Sequence, residues 1–192
     1  MILLDPDLDP DAAPGPAAGK PVAAPKASDL RLPSTQTLAR FLSQARLAAR
    51  LRGKVSVLLT TDAAQRGFNR RFRGKNKSTD VLSFPAAPSA PGAPVADQFA
   101  GDLSISVPIA CRQAAQQGHS LTTEIKVLIL HGVLHLAGYD HEIDSGQMAR
   151  RERTLRAHLG LPGGLIERTS AAKSKLRATS KSIRPATKRR RA

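Results

Sequence analysis

The segment from His131 to His141 constrains the fold more than any other part of the chain. It holds three of the five histidines in the sequence, at H-x3-H-x5-H spacing. Residues four apart lie on the same face of a helix, so His131 and His135 can direct their imidazole rings at one point. Gly138 is the residue type that lets a helix end in a left-handed turn. The spacing therefore predicts a helix whose C-terminal end turns back and brings His141 to the same point.

Three convergent imidazoles predict a metal site that performs chemistry. Structural zinc sites fill all four positions with protein ligands, whereas catalytic sites keep one position for water or substrate. We therefore expect His131, His135 and His141 to hold one Zn²⁺ per chain, with nickel or another divalent ion as the alternative. The other interpretation is that these are ordinary histidines buried in an apolar helix. It is less favoured because each buried imidazole leaves polar nitrogens that need partners.

A metal ion with an open position activates water, which suits the hydrolysis of amides or phosphodiesters. Metalloproteases with the H-E-x-x-H motif place a glutamate after the first histidine as the general base, but Gly132 occupies that position here. A zinc-dependent peptidase or amidase is therefore the alternative, and a phosphodiester substrate is favoured. Asp140 is a candidate for orienting one of the histidines, and an exposed turn residue without that role is the equal alternative.

The charge distribution predicts a polyanionic partner. The net charge is +15, of which residues 1–27 contribute −2, residues 28–167 contribute +7 and residues 168–192 contribute +10. A basic domain with a basic tail favours nucleic acid binding, although a solvated tail without a partner is the alternative. Aromatic residues make up 3% of the chain, so we do not expect extensive base stacking or strong sequence preference.

Composition also predicts the organisation of the chain. Residues 1–27 are rich in Pro, Ala and Asp and should be disordered, as should the basic tail at 168–192. Residues 28–167 form the predicted domain, with a flexible Pro/Ala/Gly-rich insertion at 85–99. No apolar run is long enough for a membrane span, and the single cysteine, Cys111, fits a reducing compartment. We therefore expect a cytoplasmic protein.

Hydrophobic periodicity and capping residues predict five helices and three strands. We place the helices at about 35–52, 62–72, 108–118, 121–137 and 144–159, and the strands at 54–61, 80–84 and 101–107. Helices and strands that follow one another at such short spacing indicate an α/β or α+β class. We predict the α+β class, with a small mixed sheet of three to four strands, about five covering helices and the metal site at a helix end.

A basic loop lies between the second predicted helix and the second predicted strand. Its cations can bind phosphate, and an arginine can do so through two parallel hydrogen bonds. Such runs also occur on surfaces without function. The cationic residues of the loop and of the preceding helical turn are Arg70, Arg71, Arg73, Lys75 and Lys77.

Three ordered motifs resemble those of the YbeY family. Residues 72–85, FRGKNKSTDVLSFP, resemble the family's R-x5-T-D-V-L-S-F-P signature, and Gly101-Asp102-Leu103 resembles its G-D-[IL] strand. Residues 131–141, HGVLHLAGYDH, resemble its H-G-x-L-H-L-x-G-Y-D-H metal motif. Met148 also stands where the family's last helix usually has methionine. The resemblance covers about residues 35–160.

The resemblance implies a single-strand-specific, metal-dependent endoribonuclease with a zinc site. It implies a role in rRNA processing at the 3′ end of the 16S rRNA of the small ribosomal subunit, and in ribosome quality control. The family's metal ligands correspond to His131, His135 and His141. Its motif arginine corresponds to Arg73, the catalytic candidate, which would contact the RNA phosphate or the transition state. A non-catalytic ribosome-assembly factor with a structural metal is the remaining alternative.

Overall fold

A four-stranded mixed sheet organises the molecule. The computed structural model describes residues 1–8, 32–87, 94 and 98–163. Within these residues it contains four strands and five α-helices, which confirms the predicted α+β class. The strands are β1 (Ile2–Leu4), β2 (Lys54–Thr60), β3 (Val81–Pro85) and β4 (Phe99–Ser106), and the helices are α1 (Thr35–Ala49), α2 (Asp62–Arg73), α3 (Val107–Gln117), α4 (Leu121–Leu136) and α5 (Gln147–His158).

The sheet has the order β1-β2-β4-β3. Strands β1, β2 and β4 run parallel, and β3 pairs antiparallel with β4 at one edge. Val57 and Leu59 of β2 and Leu103 and Ile105 of β4 are fully or almost fully buried. These residues alternate along their strands, so they line one face of the sheet, as period-two patterning requires.

Helix α4 is the central helix of the fold. It contacts β3, β4 and the helices α1, α3 and α5, which explains why its apolar residues are not confined to one face. A Cβ atom at Gly132 would lie 2.7 Å from Leu103 Cδ2, so glycine allows the helix to approach the sheet closely. No helix in the described residues combines the length and the apolar content that crossing a bilayer demands.

Several helix ends differ from the predicted ones by a few residues. Helix α1 stops at Ala49 rather than near Arg52, because Arg50 adopts the left-handed conformation with φ 59°. Thr61, rather than Asp62, caps α2 by accepting a hydrogen bond from Ala64 N–H. Helix termini are the least predictable part of such assignments because several polar residues compete for the cap.

The predicted disorder of residues 1–27 is wrong for residues 1–8. Strand β1 pairs with the free edge of β2, the Met1 amino group donates to the Val55 carbonyl at 2.7 Å, and Leu8 is buried. The edge of β2 supplies hydrogen-bond partners that local composition does not reveal. Residues 9–31 and the tail at 168–192 lie outside the described residues.

The insertion at 85–99 is also shorter than predicted. Pro85 is the last residue of β3 and Phe99 is the first residue of β4, so the sheet extends into both ends of the segment. Most of the remaining insertion lies outside the described residues, and its flexibility stays a prediction.

Candidate metal centre

The C-terminal end of α4 carries the candidate site. Ser120 caps the start of the helix by accepting from Thr123 N–H. At the other end, Gly138 has φ 90°, and Tyr139 N–H and Gly138 N–H donate to the carbonyls of Leu134 and His135. This pattern is a Schellman motif, which requires a left-handed residue just past the helix. The chain therefore reverses direction after α4, as the glycine predicted.

The structure brings His131, His135 and His141 together. Their ligand atoms lie within 4.8 Å of one another, an arrangement that can hold a metal ion. The ring centroid of His131 is 4.8 Å from that of His135 and 5.3 Å from that of His141. His131 is buried, whereas the other two are half-buried. The site is thus fixed in the core on one side and open to solvent on the other.

Two of the three donor atoms are spaced as ligands of one metal ion would be. His131 Nε2 and His135 Nε2 are 3.2 Å apart, and two nitrogens bound to tetrahedral zinc lie roughly 3.4 Å apart. Burial, together with the nearby His131 and His141, lowers the pKa of His135 to about 4. His135 is therefore neutral at physiological pH, which is the form that binds metal.

A buried carboxylate on α5 faces His131. Glu152 is 1% exposed, and its Oε2 lies 3.5 Å from His131 Nδ1. Both atoms lack a hydrogen bond to any other described group, so Glu152 is placed to accept the Nδ1 proton. That interaction fixes the tautomer that presents His131 Nε2 to a metal.

Arg156 completes this arrangement from the next turn of α5. Its Nε donates to Glu152 Oε1 at 3.0 Å, and the guanidinium also binds the carbonyls of Pro162 and Gly163. Burial alone would raise the pKa of Glu152, but His131 and Arg156 outweigh burial and lower it to about 2. Glu152 is therefore ionised at neutral pH, as an orienting group should be.

Sequence patterns did not single out Glu152, although α5 contains a signal. Met148, Glu152 and Leu155 lie at i, i+4 and i+7, so the glutamate occupies the apolar face of the helix. The predicted orienting residue, Asp140, organises the turn that contains His141, and its charge also acts on His135. Its Oδ1 accepts from Glu142 N–H at 2.9 Å, and its carbonyl accepts from Asp144 N–H at 2.9 Å.

The three histidines open into a cleft of about 800 Å³. Residues Thr79 to Pro85, which include the edge strand β3, also line the cleft, as do the end of α2 and the turn after α4. Arg73 belongs to this lining, and its contact with substrate stays a prediction. It lies 3.9 Å from Glu142 across the cleft, and its side chain is 48% exposed. The cations predicted alongside it do not line the cleft.

Gly132 has a structural role that bears on the peptidase alternative. A Cβ atom at this position would lie 2.7 Å from Leu103 Cδ2 and 3.3 Å from the Ser83 hydroxyl group. A glutamate side chain would have no space there. The general base of the H-E-x-x-H metalloproteases is therefore absent, and its position is closed to a larger residue.

The fold and the site together define an α+β protein with an open three-histidine cluster that can hold a metal ion, an arrangement typical of catalytic rather than structural metal sites. Comparison with known proteins is more specific. The profile described as Endoribonuclease YbeY matches residues 25–160, and the chain belongs to this YbeY family.

Individual relatives agree with the profile. A protein of Koribacter versatilis named Endoribonuclease YbeY is 53% identical over 149 residues, which cover 75% of this chain and 93% of the relative. A protein of the same name from Solibacter usitatus is 43% identical over 156 residues, which cover 78% of this chain and 100% of the relative. The solution structure of TM1509 from Thermotoga maritima is 20% identical, covers 82% of this chain and 96% of its own, and gives a TM-score of 0.45.

Proposed function

We propose that this chain is a metal-dependent endoribonuclease that cleaves single-stranded RNA. Its substrate would be rRNA of the small ribosomal subunit, in maturation of the 16S 3′ end and in ribosome quality control, within the cytoplasm. The observation that carries the proposal is the convergence of His131, His135 and His141 at the base of an open cleft. The names of the family and of the relatives supply the class of substrate.

The three histidines would hold one Zn²⁺ per chain. Bound zinc would lower the pKa of water toward neutrality and polarise the scissile phosphodiester. The protein keeps the His135 imidazole neutral, through its lowered pKa, and would orient His131 through Glu152. Three protein ligands leave room for solvent or substrate, because the described residues place no fourth metal-binding side chain in this cluster.

Arg73 would bind the phosphate group. Its ion pair with Glu142 spans 3.9 Å between two side chains that are about half exposed. Exposed pairs of this kind contribute at most about 1 kcal/mol, so an RNA phosphate can replace Glu142 as the partner. Glu142 would thus keep the guanidinium extended over the cleft until substrate arrives. An arginine in this position stabilises the charge that develops on the phosphate.

The basic tail would add affinity without chemistry. Residues 168–192 carry ten cations and no acid, and such segments bind the RNA backbone through salt-dependent contacts. The cleft would then select the bond to be cleaved, while the tail raises the local concentration of RNA.

A cleavage assay tests the proposal. Full-length protein is incubated with single-stranded and double-stranded RNA of the same sequence, with zinc or with a chelator. We expect cleavage of the single strand with zinc, loss of cleavage with chelator, and an unchanged circular dichroism spectrum. Unfolding on chelation would favour the assembly factor with a structural metal, and cleavage of peptides but not RNA would favour the peptidase.

His135→Ala should abolish cleavage while the fold persists. His158→Ala is the matched control, because His158 lies exposed on α5 outside the cleft. Full RNA cleavage by the His135 variant would refute the assignment of the site.

A further inference from the structure

The scarce aromatic residues are concentrated beside the metal cleft. The chain has five phenylalanines, one tyrosine and no tryptophan. The Phe72 and Phe84 rings are 5.0 Å apart at 69°, and the Phe68 and Phe84 rings are 6.4 Å apart at 81°. Phe72 and Phe84 both line the cleft that contains the histidines. A chain with low aromatic content overall therefore has an aromatic wall at the site itself.

Phe72 is the exposed member of this wall. It is 57% exposed, whereas Phe41 in the core is 4% exposed. Phe68 and Phe84 are half-buried between α2 and β3, so the packing of the helix on the strand does not account for the exposed surface of Phe72. Phe72 and Phe84 thus form an apolar patch within an open cleft, and patches of this kind contact ligands.

One cation lies over the Phe72 ring, and a second follows it in the sequence. The Arg71 guanidinium carbon lies 5.4 Å from the ring centroid, and Arg73 follows directly in the last turn of α2. A nucleotide combines a flat aromatic base with an anionic phosphate. A base could stack on Phe72 on the face opposite Arg71 or in place of the Arg71 guanidinium, with Arg73 in the same cleft for a neighbouring phosphate.

We infer that Phe72 is a stacking platform for one unpaired base of the RNA, next to the bond that is cleaved. The inference rests on the proposed function and adds a reason for single-strand specificity. Bases in an RNA duplex are stacked on their neighbours and present no free face, whereas a single-stranded base can be splayed onto a protein aromatic ring. Phe72 would therefore favour only RNA with an accessible base.

The first experiment separates stacking from packing. Phe72→Leu keeps an apolar side chain but removes the flat π face, and Phe72→Trp enlarges that face. We expect the leucine variant to lose roughly five- to hundredfold in affinity for single-stranded RNA, with the loss in KM, and the tryptophan variant to keep the affinity. Equal affinity of the leucine variant and the wild type would overturn the inference.

An RNA with a single abasic residue, moved one position at a time, identifies the stacked base. At one position the abasic residue should weaken binding to the wild type as much as Phe72→Leu does. The same RNA should cause little further loss in the leucine variant, because each change removes the same contact. Fully additive losses at every position would show that Phe72 and the bases act independently.

The absence of tryptophan from the sequence allows a direct optical test. In Phe72→Trp the only indole lies at the proposed platform, so a stacked base should quench its fluorescence. The probe is a 2′-O-methyl RNA of about twelve nucleotides, a length that single-strand grooves accommodate. Leu4→Trp is the control, because Leu4 is 47% exposed on β1, at the sheet edge opposite β3.

The outcomes distinguish the two proposals. Quenching in the Phe72→Trp variant but not in the Leu4→Trp variant, with no RNA cleavage by the wild type, would support the platform and refute the nuclease. Cleavage by the wild type without quenching in the Phe72→Trp variant would refute the platform and leave the nuclease intact. Equal quenching in both variants would show nonspecific association and would also refute the platform.

Discussion

Replacing Glu152 with glutamine should weaken zinc binding by about 10- to 100-fold, the usual effect of removing the partner of a metal-binding histidine. The carboxylate is almost fully buried and faces His131 Nδ1 at 3.5 Å. Glutamine keeps the volume but loses the charge that holds the Nδ1 proton. His131 would then be free to adopt the other tautomer, which presents a protonated Nε2 to the metal.

The same substitution should reduce the stability of the metal-free protein. Against the opposing effect of burial, His131 and Arg156 lower the pKa of Glu152 from 4.5 to about 2, so the ionised carboxylate interacts favourably with these neighbours. Breaking a buried ion pair typically costs about 3–5 kcal/mol, because the remaining charge is left unpaired. Arg156 would be that unpaired charge, so we expect a loss of about 3 kcal/mol in the free energy of unfolding.

Two assays and two controls separate these effects. Urea unfolding in chelator reports stability, and competition with a zinc chelator reports affinity. Glu152→Gln combined with Arg156→Met removes the unpaired charge and should recover part of the stability but none of the affinity. Glu142→Gln removes a charge from the exposed side of the same cleft and should leave the zinc affinity nearly unchanged. Equal losses of affinity in the Glu152 and Glu142 variants would refute the orienting role.

Three further predictions concern the substrate, a helix cap and the tail. Arg73→Ala should retain zinc, by metal analysis, and lose RNA cleavage; unchanged turnover would remove its role. Backbone N–H groups, foremost that of Met148, donate to the Asp144 carboxylate and lower its pKa from the usual 3.8. The stabilisation of the start of α5 by Asp144 is therefore fully present above pH 3.8 and is lost in acid, as the carboxylate becomes protonated. The melting temperatures of wild type and Asp144→Ala should therefore differ at neutral pH and converge as the pH falls, and a constant difference would contradict the cap. Deleting 168–192 should weaken RNA binding and flatten its salt dependence; an unchanged slope would exclude the tail from binding.

Local patterns were sufficient for most of the fold. Capping residues and glycines predicted the five helices, because each acts on its own helix turn: Ser34 and Ser120 cap α1 and α4, and Gly74 and Gly118 end α2 and α3. The alternation of apolar and polar residues predicted three strands, because it is also a pattern among neighbouring residues. The fourth strand, Ile2–Leu4, was missed because it is short and is followed by aspartates and prolines. Its stability depends on an edge of β2 that lies more than fifty residues away.

The site was predictable to the extent that its residues are close in sequence. His131, His135 and His141 lie on one helix and the turn that follows, and helix geometry alone indicates their convergence. Glu152 comes from a different helix, and its burial depends on how α5 packs against α4. The platform at Phe72 was missed for a similar reason, because composition counts aromatic residues but does not show that α2 and β3 bring them together.

The shape of the cleft links these features. Edge strand β3 forms one wall, the end of α2 adds Arg73 and Phe72, and the turn after α4 adds His141. Strand β3 contributes backbone and apolar surface, and α2 contributes a cation and an aromatic ring. The turn after α4 contributes a nitrogen that can bind a metal ion. This combination of groups suits a substrate that carries anionic groups, aromatic groups and a bond that can be hydrolysed.

The most direct test of the metal centre is the zinc content of the purified protein, measured together with RNA cleavage in the same sample. We predict one zinc per wild-type chain and a cleavage rate that rises in proportion to the zinc added back after chelation. We predict little zinc and no cleavage in the His131→Ala, His135→Ala and His141→Ala variants. Near-stoichiometric zinc in any of these variants, or full cleavage by the zinc-free wild type, would contradict the three-histidine metal centre.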